Sequence, residues 1–220
     1  MRYNVIGSSS QGNAIVIEDV LLLDCGLPIT KIKPYLNKIK LIFISHCHHD
    51  HLLSTTIKTI AFNFPTIKFV TGSENVVVKL VKCGVNKKNI FILKSGKKYD
   101  LGLLKVKLEE LYHDVPNYAL KWELKGEKGI YATDTSKIDH IQAKNYDLYC
   151  IENNYDDEIL KEHIKNCDDK RMLQYLLRVP NTHLSKQQCI DFLIENMGTN
   201  SNYVLLHESS YNNTKTDTLE

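Results

Sequence analysis

The feature that most constrains the fold is a strand-like run that ends abruptly in metal-ligand side chains. Residues 41–44 (Leu-Ile-Phe-Ile) are apolar and partly β-branched, which predicts a buried β-strand. The next seven residues, Ser45 to His51, include four potential ligands: His46, His48, Asp50 and His51. A polar turn with surface histidines is the simpler interpretation. Four ligand side chains at this density, directly behind a strand, favour a metal site at the rim of a β-sheet.

Backbone geometry divides these four side chains between two centres. Alternate side chains of an extended chain share a face, so His46 and His48 can point to one ion. A turn after His48 would direct Asp50 and His51 towards a second ion nearby. Imidazole and carboxylate ligands suit zinc, manganese or iron, and two ions sharing one site suit hydrolysis.

Three distant residues offer the same chemistry, because His113, Asp134 and His207 each lie behind a predicted strand. Taken singly, His113 or His207 reads as an ordinary surface or core histidine. Strand ends converge at the active site of layered α/β and αββα proteins, and this favours the ligand interpretation for all three. We therefore expect a first site of His46, His48 and His113, a second site of Asp50, His51 and His207, and Asp134 as the bridge.

The chemistry of this arrangement predicts a shared nucleophile. A carboxylate such as Asp134 has two oxygens and can compensate the charge of two cations. A hydroxide held between the ions, with its pKa lowered by both, would be the nucleophile. Asp24 follows the predicted strand Val20–Leu23. It reads equally well as a turn residue and as an acceptor that holds the second nitrogen of a ligand histidine.

Composition excludes several other classes of protein. The net charge of +2 argues neither for nor against a nucleic-acid partner. No run of about 18 apolar residues and no signal-peptide core occurs, so we expect a cytosolic protein without a membrane partner. The six cysteines form no CxxC pair, which argues against a disulfide framework or a cysteine-based zinc site. We expect one domain over residues 1–208 and a flexible polar tail over residues 209–220.

The order His46-x-His48-x-Asp50-His51, followed by His113, Asp134 and His207, resembles the metallo-β-lactamase superfamily. The resemblance covers nearly the whole chain. It implies an α/β fold, a four-layer αββα sandwich with a dinuclear metal site at the strand ends. The closest likeness is to WalJ/YycJ-like phosphodiesterases and exonucleases, and a more distant one is to ribonuclease Z. The segments that carry the closer likeness are residues 7–13, 22–26, 152–156 and 183–185.

The likeness to ribonuclease Z implies that His183 assists phosphodiester cleavage. Elementary chemistry agrees, since a histidine that titrates near neutrality can protonate a leaving group. Glu152 would orient His183, although a solvated loop acid is nearly as good an interpretation. We assign Asp50, Glu152 and His183 as catalytic residues, and Asn181 and Ser185 as candidate phosphate-binding residues.

These observations predict a metal-dependent phosphodiesterase, with zinc expected first and manganese or iron left open. A nuclease of exonuclease type on DNA or RNA ranks first. A phosphodiesterase on small cyclic nucleotides, as in phage-encoded anti-Pycsar proteins, is the alternative, and a thioesterase or lactamase ranks third. The long arm with which ribonuclease Z grips transfer RNA is missing, which argues against transfer-RNA processing. A second copy could cover an open cleft, so a homodimer is compatible with the sequence.

Overall fold

The computed structural model describes residues 1–213, in which twelve strands and six α-helices follow one another along the chain. The strands are β1 (Tyr3–Gly7), β2 (Ala14–Ile17), β3 (Leu21–Leu23), β4 (Leu41–Phe43), β5 (Lys68–Thr71), β6 (Ile90–Ile92), β7 (Lys98–Asp100), β8 (Lys105–Leu111), β9 (Asn117–Leu124), β10 (Glu127–Ala132), β11 (Leu148–Glu152) and β12 (Asn202–Leu206). The helices are α1 (Ile29–Leu36), α2 (Ser54–Asn63), α3 (Glu74–Lys82), α4 (Asp157–Lys165), α5 (Lys170–Thr182) and α6 (Lys186–Asn196). A single 3₁₀ turn, Lys87–Asn89, precedes β6.

The strands form two six-stranded mixed sheets. The first has the order β1-β2-β3-β4-β5-β6, antiparallel from β1 to β3 and parallel from β3 to β6. The second has the order β12-β11-β10-β9-β8-β7, in which β12, β11 and β10 are parallel and the remaining pairs are antiparallel. Parallel neighbours in both sheets therefore bring several strand ends to the same edge.

Strand β4 shows why its sequence is apolar at every position. Ile42 packs in a core on the outer, helix-covered face of the first sheet, whereas Leu41 and Phe43 pack in the core between the two sheets. Both faces of the strand are thus buried, which requires a continuous apolar run rather than an alternating one. Trp122, the only tryptophan, lies in the same inter-sheet core at 2% exposure.

Separate cores on the two outer faces complete the layers. Residues of α1, α2 and α3 cover the first sheet, and residues of α6 cover the second. The order of layers is therefore helices, sheet, sheet, helices, and the predicted αββα sandwich is confirmed.

Helix α5 is the main element that sequence reasoning missed. Asp169 begins it, with a side chain that accepts from the backbone N–H groups of Arg171 and Met172. Leu176 and Val179 pack with residues of α4 in a small cluster of their own. Pro180 lies in the last turn of α5, where it has no N–H to donate to the carbonyl four residues earlier, and at this position it resembles a helix-ending signal in the sequence.

The chain after β12 returns to the body of the protein. Composition predicts a flexible tail over residues 209–220, yet Asn212 and Asn213 are buried. The Asn212 carbonyl accepts from Asp156 N at 2.8 Å, and Asn213 Nδ2 donates to the Asn153 carbonyl at 2.8 Å. The rest of the predicted tail, 214–220, lies outside the described residues. Within residues 1–213, no helix combines the length and apolarity needed to cross a membrane.

Candidate metal centre

The ends of four strands from both sheets converge on one cluster of ionisable side chains. Strand β4 leads into the motif of residues 45–51, and β8, β10 and β12 end one or two residues before His113, Asp134 and His207. The backbone of Asp134 (φ 56°) and His207 (φ 53°) is left-handed, as is that of Asp24 after β3 (φ 56°). Such non-glycine conformations cost energy and occur preferentially at functional sites.

The predicted ligands assemble into overlapping groups whose donor atoms lie within 4.8 Å of one another. One group contains His46, His48 and His113, and another contains Asp50, His51 and His207. Asp134 forms a third group with His46 and His51. This third group shares His46 with the first group and His51 with the second. The two expected sites and the intermediate position of Asp134 therefore correspond to the observed geometry.

Individual distances show how closely these donor atoms approach. In the first group, His48 Nδ1 and His113 Nε2 are 3.2 Å apart. In the second, Asp50 Oδ2 lies 3.3 Å from His51 Nε2 and 3.4 Å from His207 Nε2. Asp134 Oδ2 lies 2.8 Å from His51 Nε2. The nitrogen and oxygen donor atoms of each group therefore lie close together, and the two groups are adjacent.

In each of the five histidines predicted as ligands, the ring nitrogen that does not face the cluster contacts another group of the protein. Within 3.5 Å, His46 Nδ1 faces Ser45 Oγ, His48 Nε2 faces Asp114, His51 Nδ1 faces Asp24, His113 Nδ1 faces the Thr182 carbonyl, and His207 Nδ1 faces Glu152. Outer partners of this kind fix the orientation and tautomer of a metal-binding imidazole. The nitrogen that remains on each ring faces the cluster.

One buried atom of the cluster, His46 Nε2, lacks a hydrogen-bond partner among the described residues. Unpaired polar atoms in a protein interior cost free energy, so native proteins retain few of them. His46 Nε2 would gain a partner if a cation bound between the two groups. The donor set of imidazoles and carboxylates thus fits two divalent ions, and it leaves zinc, manganese and iron open.

Asp24 occupies the place where an acceptor for a ligand histidine was expected. Its carboxylate is fully buried and lies 2.5 Å from His51 Nδ1. The same carboxylate accepts from Ser45 N at 2.8 Å, from Ser45 Oγ and from the Tyr131 hydroxyl at 2.6 Å. Asp24 therefore connects β3, the motif loop and β10, and fixes the His51 ring between them.

The carboxylates dominate the electrostatics of the second group. Burial opposes a charge on His51, but Asp134 and Asp24 raise its pKa well above the usual value. Burial likewise opposes a charge on His207, but Asp134, Asp50 and Glu152 raise its pKa to about 10. In the first group, burial and the nearby His51 lower the pKa of His46 well below the usual value. The cluster therefore has an excess of negative charge on the side of Asp50 and Asp134, which a cation would neutralise.

The loop of residues 8–13 supports the second group. Ser8 Oγ accepts from the backbone N–H of His207 at 2.8 Å. Asn13 is buried, and its Nδ2 lies 3.0 Å from His51 Nε2. The backbone N–H of Asn13 donates to the Asp50 carbonyl at 2.7 Å. The loop thus fixes the backbone and side chains of the predicted ligands.

Gly26 allows the motif loop to approach the end of β3. A Cβ atom at this position would lie 1.7 Å from the Asp50 carbonyl oxygen and 2.8 Å from His51 N. The neighbouring hydrogen bond from Cys25 N to the His51 carbonyl, at 2.9 Å, ties the two segments together. Only glycine permits this contact.

Glu152 and His183 form a pair beside the cluster. Glu152 is fully buried, and its Oε1 lies 2.7 Å from His183 Nδ1. Its Oε2 accepts from the backbone N–H groups of Thr135 and Leu184. Burial opposes a charge on His183, but Glu152 and Asp134 raise its pKa. His183 Nδ1 lies 3.5 Å from Asp134 Oδ1, so this pair adjoins the predicted bridge.

The two candidate phosphate-binding residues have other roles in the structure. Ser185 is buried, and its Oγ accepts from Gln188 N in a capping box at the start of α6. Its hydroxyl oxygen is thus engaged in the helix cap, and a phosphate contact of Ser185 stays a prediction. Asn181 is exposed, and its Nδ2 donates to the Leu177 carbonyl of the same helix. His49, which received no role, is exposed and belongs to none of the donor groups.

Sequence reasoning missed several residues that support the site. Tyr131 donates to Asp24, and Asn154 Nδ2 donates to the His207 carbonyl at 2.8 Å. Asp114 Oδ1 lies 3.2 Å from His113 Nε2 and 3.4 Å from His48 Nε2. For Asp114 a signal was present, because it directly follows a predicted ligand. Tyr131 and Asn154 gave no such signal, since their contacts depend on the pairing of the sheets.

The αββα fold and a two-part histidine and carboxylate cluster together define the class of protein. The family described as "Beta-lactamase superfamily domain" matches residues 20–187, which is more than half of the chain, and the chain belongs to this family. None of the curated proteins matches the sequence significantly. The superfamily to which the motif pointed is therefore confirmed.

Solved structures agree with this fold at low sequence identity. The chain is similar to the metallo-beta-lactamase fold protein YhfI from Bacillus subtilis, with a TM-score of 0.70, 17% identity and coverage of 95% of this chain and 87% of that one. It is similar to the short form of human tRNase Z, with a TM-score of 0.70, 18% identity and coverage of 96% and 93%. It is also similar to a diphosphatase from the PhnP family, with a TM-score of 0.63, 14% identity and coverage of 97% and 88%. Family membership and the donor cluster together support a metal-dependent hydrolase.

Proposed function

We propose that this protein is a dinuclear metal-dependent phosphodiesterase of nuclease type. The observation that carries the proposal is the pair of Glu152 and His183, held at 2.7 Å beside Asp134. A hydrolase of lactams or thioesters needs the metal cluster, but it has less need of an additional buried acid–imidazole pair. A phosphodiester has a poor alkoxide leaving group, which requires a proton from such a pair.

The described residues divide the chemistry between them. Two divalent ions, held by the first group, the second group and Asp134, would activate water and neutralise the charge of a phosphodiester. His183 has Nδ1 engaged by Glu152, so its Nε2 is the atom that can protonate a leaving oxygen. Glu152 and Asp134 raise the pKa of His183, which favours the protonated ring that a general acid requires. Asp50, whose Oδ2 lies 3.4 Å from His207 Nε2, would help to hold the second ion.

Two related structures support the choice of phosphodiesters over amides. One of them is a tRNase Z and another is a diphosphatase, and both match the fold over almost the whole chain. We extend this likeness to a proposal that DNA or RNA is the substrate and that zinc is the resident metal. The cytosolic location and a homodimer remain predictions from the sequence.

A parallel substrate panel tests the proposal. The metal-loaded protein is assayed against bis-p-nitrophenyl phosphate, single-stranded DNA, cyclic nucleotides and nitrocefin. We expect turnover of bis-p-nitrophenyl phosphate and DNA. Turnover of cyclic nucleotides without DNA would replace the nuclease with the small-substrate alternative, and turnover of nitrocefin alone would overturn the phosphodiester assignment.

Variants connect the activity to the residues. Asp134→Ala should abolish hydrolysis and reduce the metal content. His183→Ala should keep the metal and lower kcat on DNA by about 10²–10⁴-fold, the usual contribution of a general acid. The loss should be much smaller on bis-p-nitrophenyl phosphate, because p-nitrophenolate leaves with little protonation. His49→Ala, an exposed histidine of the same motif, is the matched control and should leave both rates unchanged.

The outcome on the two substrates decides the role of His183. Equal losses on DNA and on bis-p-nitrophenyl phosphate would contradict a proton donor and would indicate general damage to the site. Unchanged turnover of DNA with full metal content would remove His183 from the mechanism.

A further inference from the structure

Helix α5 places an arginine at the edge of the metal centre. Arg178 lies one turn before Thr182, whose carbonyl holds His113 at 3.1 Å. Its side chain is 59% exposed, and its Nη2 donates to Asp114 Oδ2 at 2.9 Å. The guanidinium is thus both open to solvent and fixed relative to a predicted ligand.

Asp114 joins this arginine to the first group of donors. Its other oxygen, Oδ1, lies 3.4 Å from His48 Nε2 and 3.2 Å from His113 Nε2. Asp114 belongs to none of the donor groups, so it adjoins the first group at the side of Arg178 without being one of its members. It is therefore suited to fix the orientation of His48 from outside, as Asp24 fixes His51.

The exposed pair of Arg178 and Asp114 contributes little to stability by itself, since such ion pairs are worth about 0–1 kcal/mol. Its geometry has a different use. A guanidinium presents five N–H donors in a planar fork that matches phosphate oxygens. The described contacts engage one nitrogen of this fork, so further N–H groups remain available to an anion at the mouth of the site.

We propose that Arg178, positioned by Asp114, binds a phosphate group of the substrate that flanks the scissile phosphodiester. The inference rests on the phosphodiesterase function proposed above. Arg178 is separated from the donor cluster by the Asp114 carboxylate, which places it beside the scissile group and not on it. A substrate with consecutive phosphates, such as a single-stranded oligonucleotide, would engage both positions, whereas a cyclic mononucleotide has one phosphate only.

A binding experiment tests the role of Arg178 independently of turnover. Fluorescence anisotropy would measure the affinity of the full-length protein for a labelled phosphorothioate single-stranded oligonucleotide over a range of salt concentrations. Arg178→Gln should weaken binding about tenfold and lower the slope of log K against log salt by about 1, because one phosphate contact is lost. Arg178→Lys should recover part of the affinity, since it restores the charge without the fork.

Arg171→Gln is the matched control, because Arg171 is the other arginine of α5 and is exposed near the start of the helix. It should leave affinity and salt slope close to those of the unmodified protein. Equal effects of the two substitutions would indicate general electrostatic attraction and would overturn the assignment. Unchanged binding in Arg178→Gln would overturn it as well.

Kinetics provide a second readout. In Arg178→Gln, the KM for the oligonucleotide should rise about tenfold with a small change in kcat, and the ratio of kcat/KM for the oligonucleotide to that for bis-p-nitrophenyl phosphate should fall. A fall in kcat alone would contradict a substrate-binding role. If the unmodified protein hydrolyses no phosphodiester, the proposed function fails, while the anisotropy titration still decides the role of Arg178.

Discussion

Replacing Asp24 with asparagine should weaken the second metal site selectively. Asparagine has nearly the same shape and tolerates the left-handed backbone at this position (φ 56°). Its amide can still accept from Ser45 N through one oxygen. The NH₂ group of the asparagine would then replace Asp24 Oδ2, the oxygen that lies 2.5 Å from His51 Nδ1, and it would donate a hydrogen bond instead of accepting one.

The magnitude follows from the tautomer of His51. Facing a donor, Nδ1 must act as acceptor, so the proton moves to Nε2, the nitrogen that faces Asp50 and Asp134. A protonated Nε2 cannot bind a cation. Loss of such an outer partner usually costs 10–100-fold in metal affinity or activity, which corresponds to about 1.4–2.7 kcal/mol.

Metal titration against a competing chelator would measure this loss for each of the two ions. We expect one ion to retain its affinity and the other to bind about 10–100-fold more weakly in Asp24→Asn. Tyr131→Phe, which removes one donor to Asp24 and keeps the carboxylate, is the control and should have a smaller effect. Two ions bound by Asp24→Asn with unchanged affinity would refute the proposed role of Asp24.

Three further predictions concern the loop, the metal and α5. Gly26→Ala should weaken metal binding by about 100-fold. The new Cβ would lie 1.7 Å from the Asp50 carbonyl oxygen, which must retreat at least about 1.3 Å to reach a separation of 3.0 Å. Gly84→Ala, with open space around it, is the control and should leave metal affinity unchanged in the same titration. Chelation should lower the melting temperature, since each ion at 100 times its Kd stabilises the fold by about 2.7 kcal/mol; an unchanged melting curve would argue against tight binding. Leu176→Ala should destabilise α5 by about 2–5 kcal/mol, seen as faster hydrogen exchange over residues 157–182; unchanged exchange would show that this cluster does not hold the helix.

The resemblance to the metallo-β-lactamase superfamily implied the layers, and local patterns predicted the residues that the structure brings together in the donor cluster. A continuous apolar run such as that of β4 indicates a strand buried on both faces, and its ligand-rich continuation marks the edge at which strand ends meet. His113, Asp134 and His207 could be assigned because each follows a strand. The shape of α5 could not be predicted, since Pro180 near its end resembles a break.

Contacts that depend on three-dimensional pairing could not be inferred from the sequence. Tyr131 reaches Asp24 because β10 and β3 lie in facing sheets, a relation that no local pattern encodes. Asp114 and Arg178 are 64 residues apart and meet only because the fold brings the end of α5 next to the loop after β8. The helix cap of Ser185, by contrast, follows from a local pattern, because Gln188 stands three residues later in the sequence.

Anomalous diffraction from crystals of the metal-loaded protein would test the central claim most directly. With data collected at the X-ray absorption edge of the metal, the account predicts two peaks in the anomalous-difference map. One peak should lie among His46, His48 and His113. The other should lie among Asp50, His51 and His207, with Asp134 between the two peaks. A single peak, or peaks elsewhere with these histidines free of metal, would contradict it.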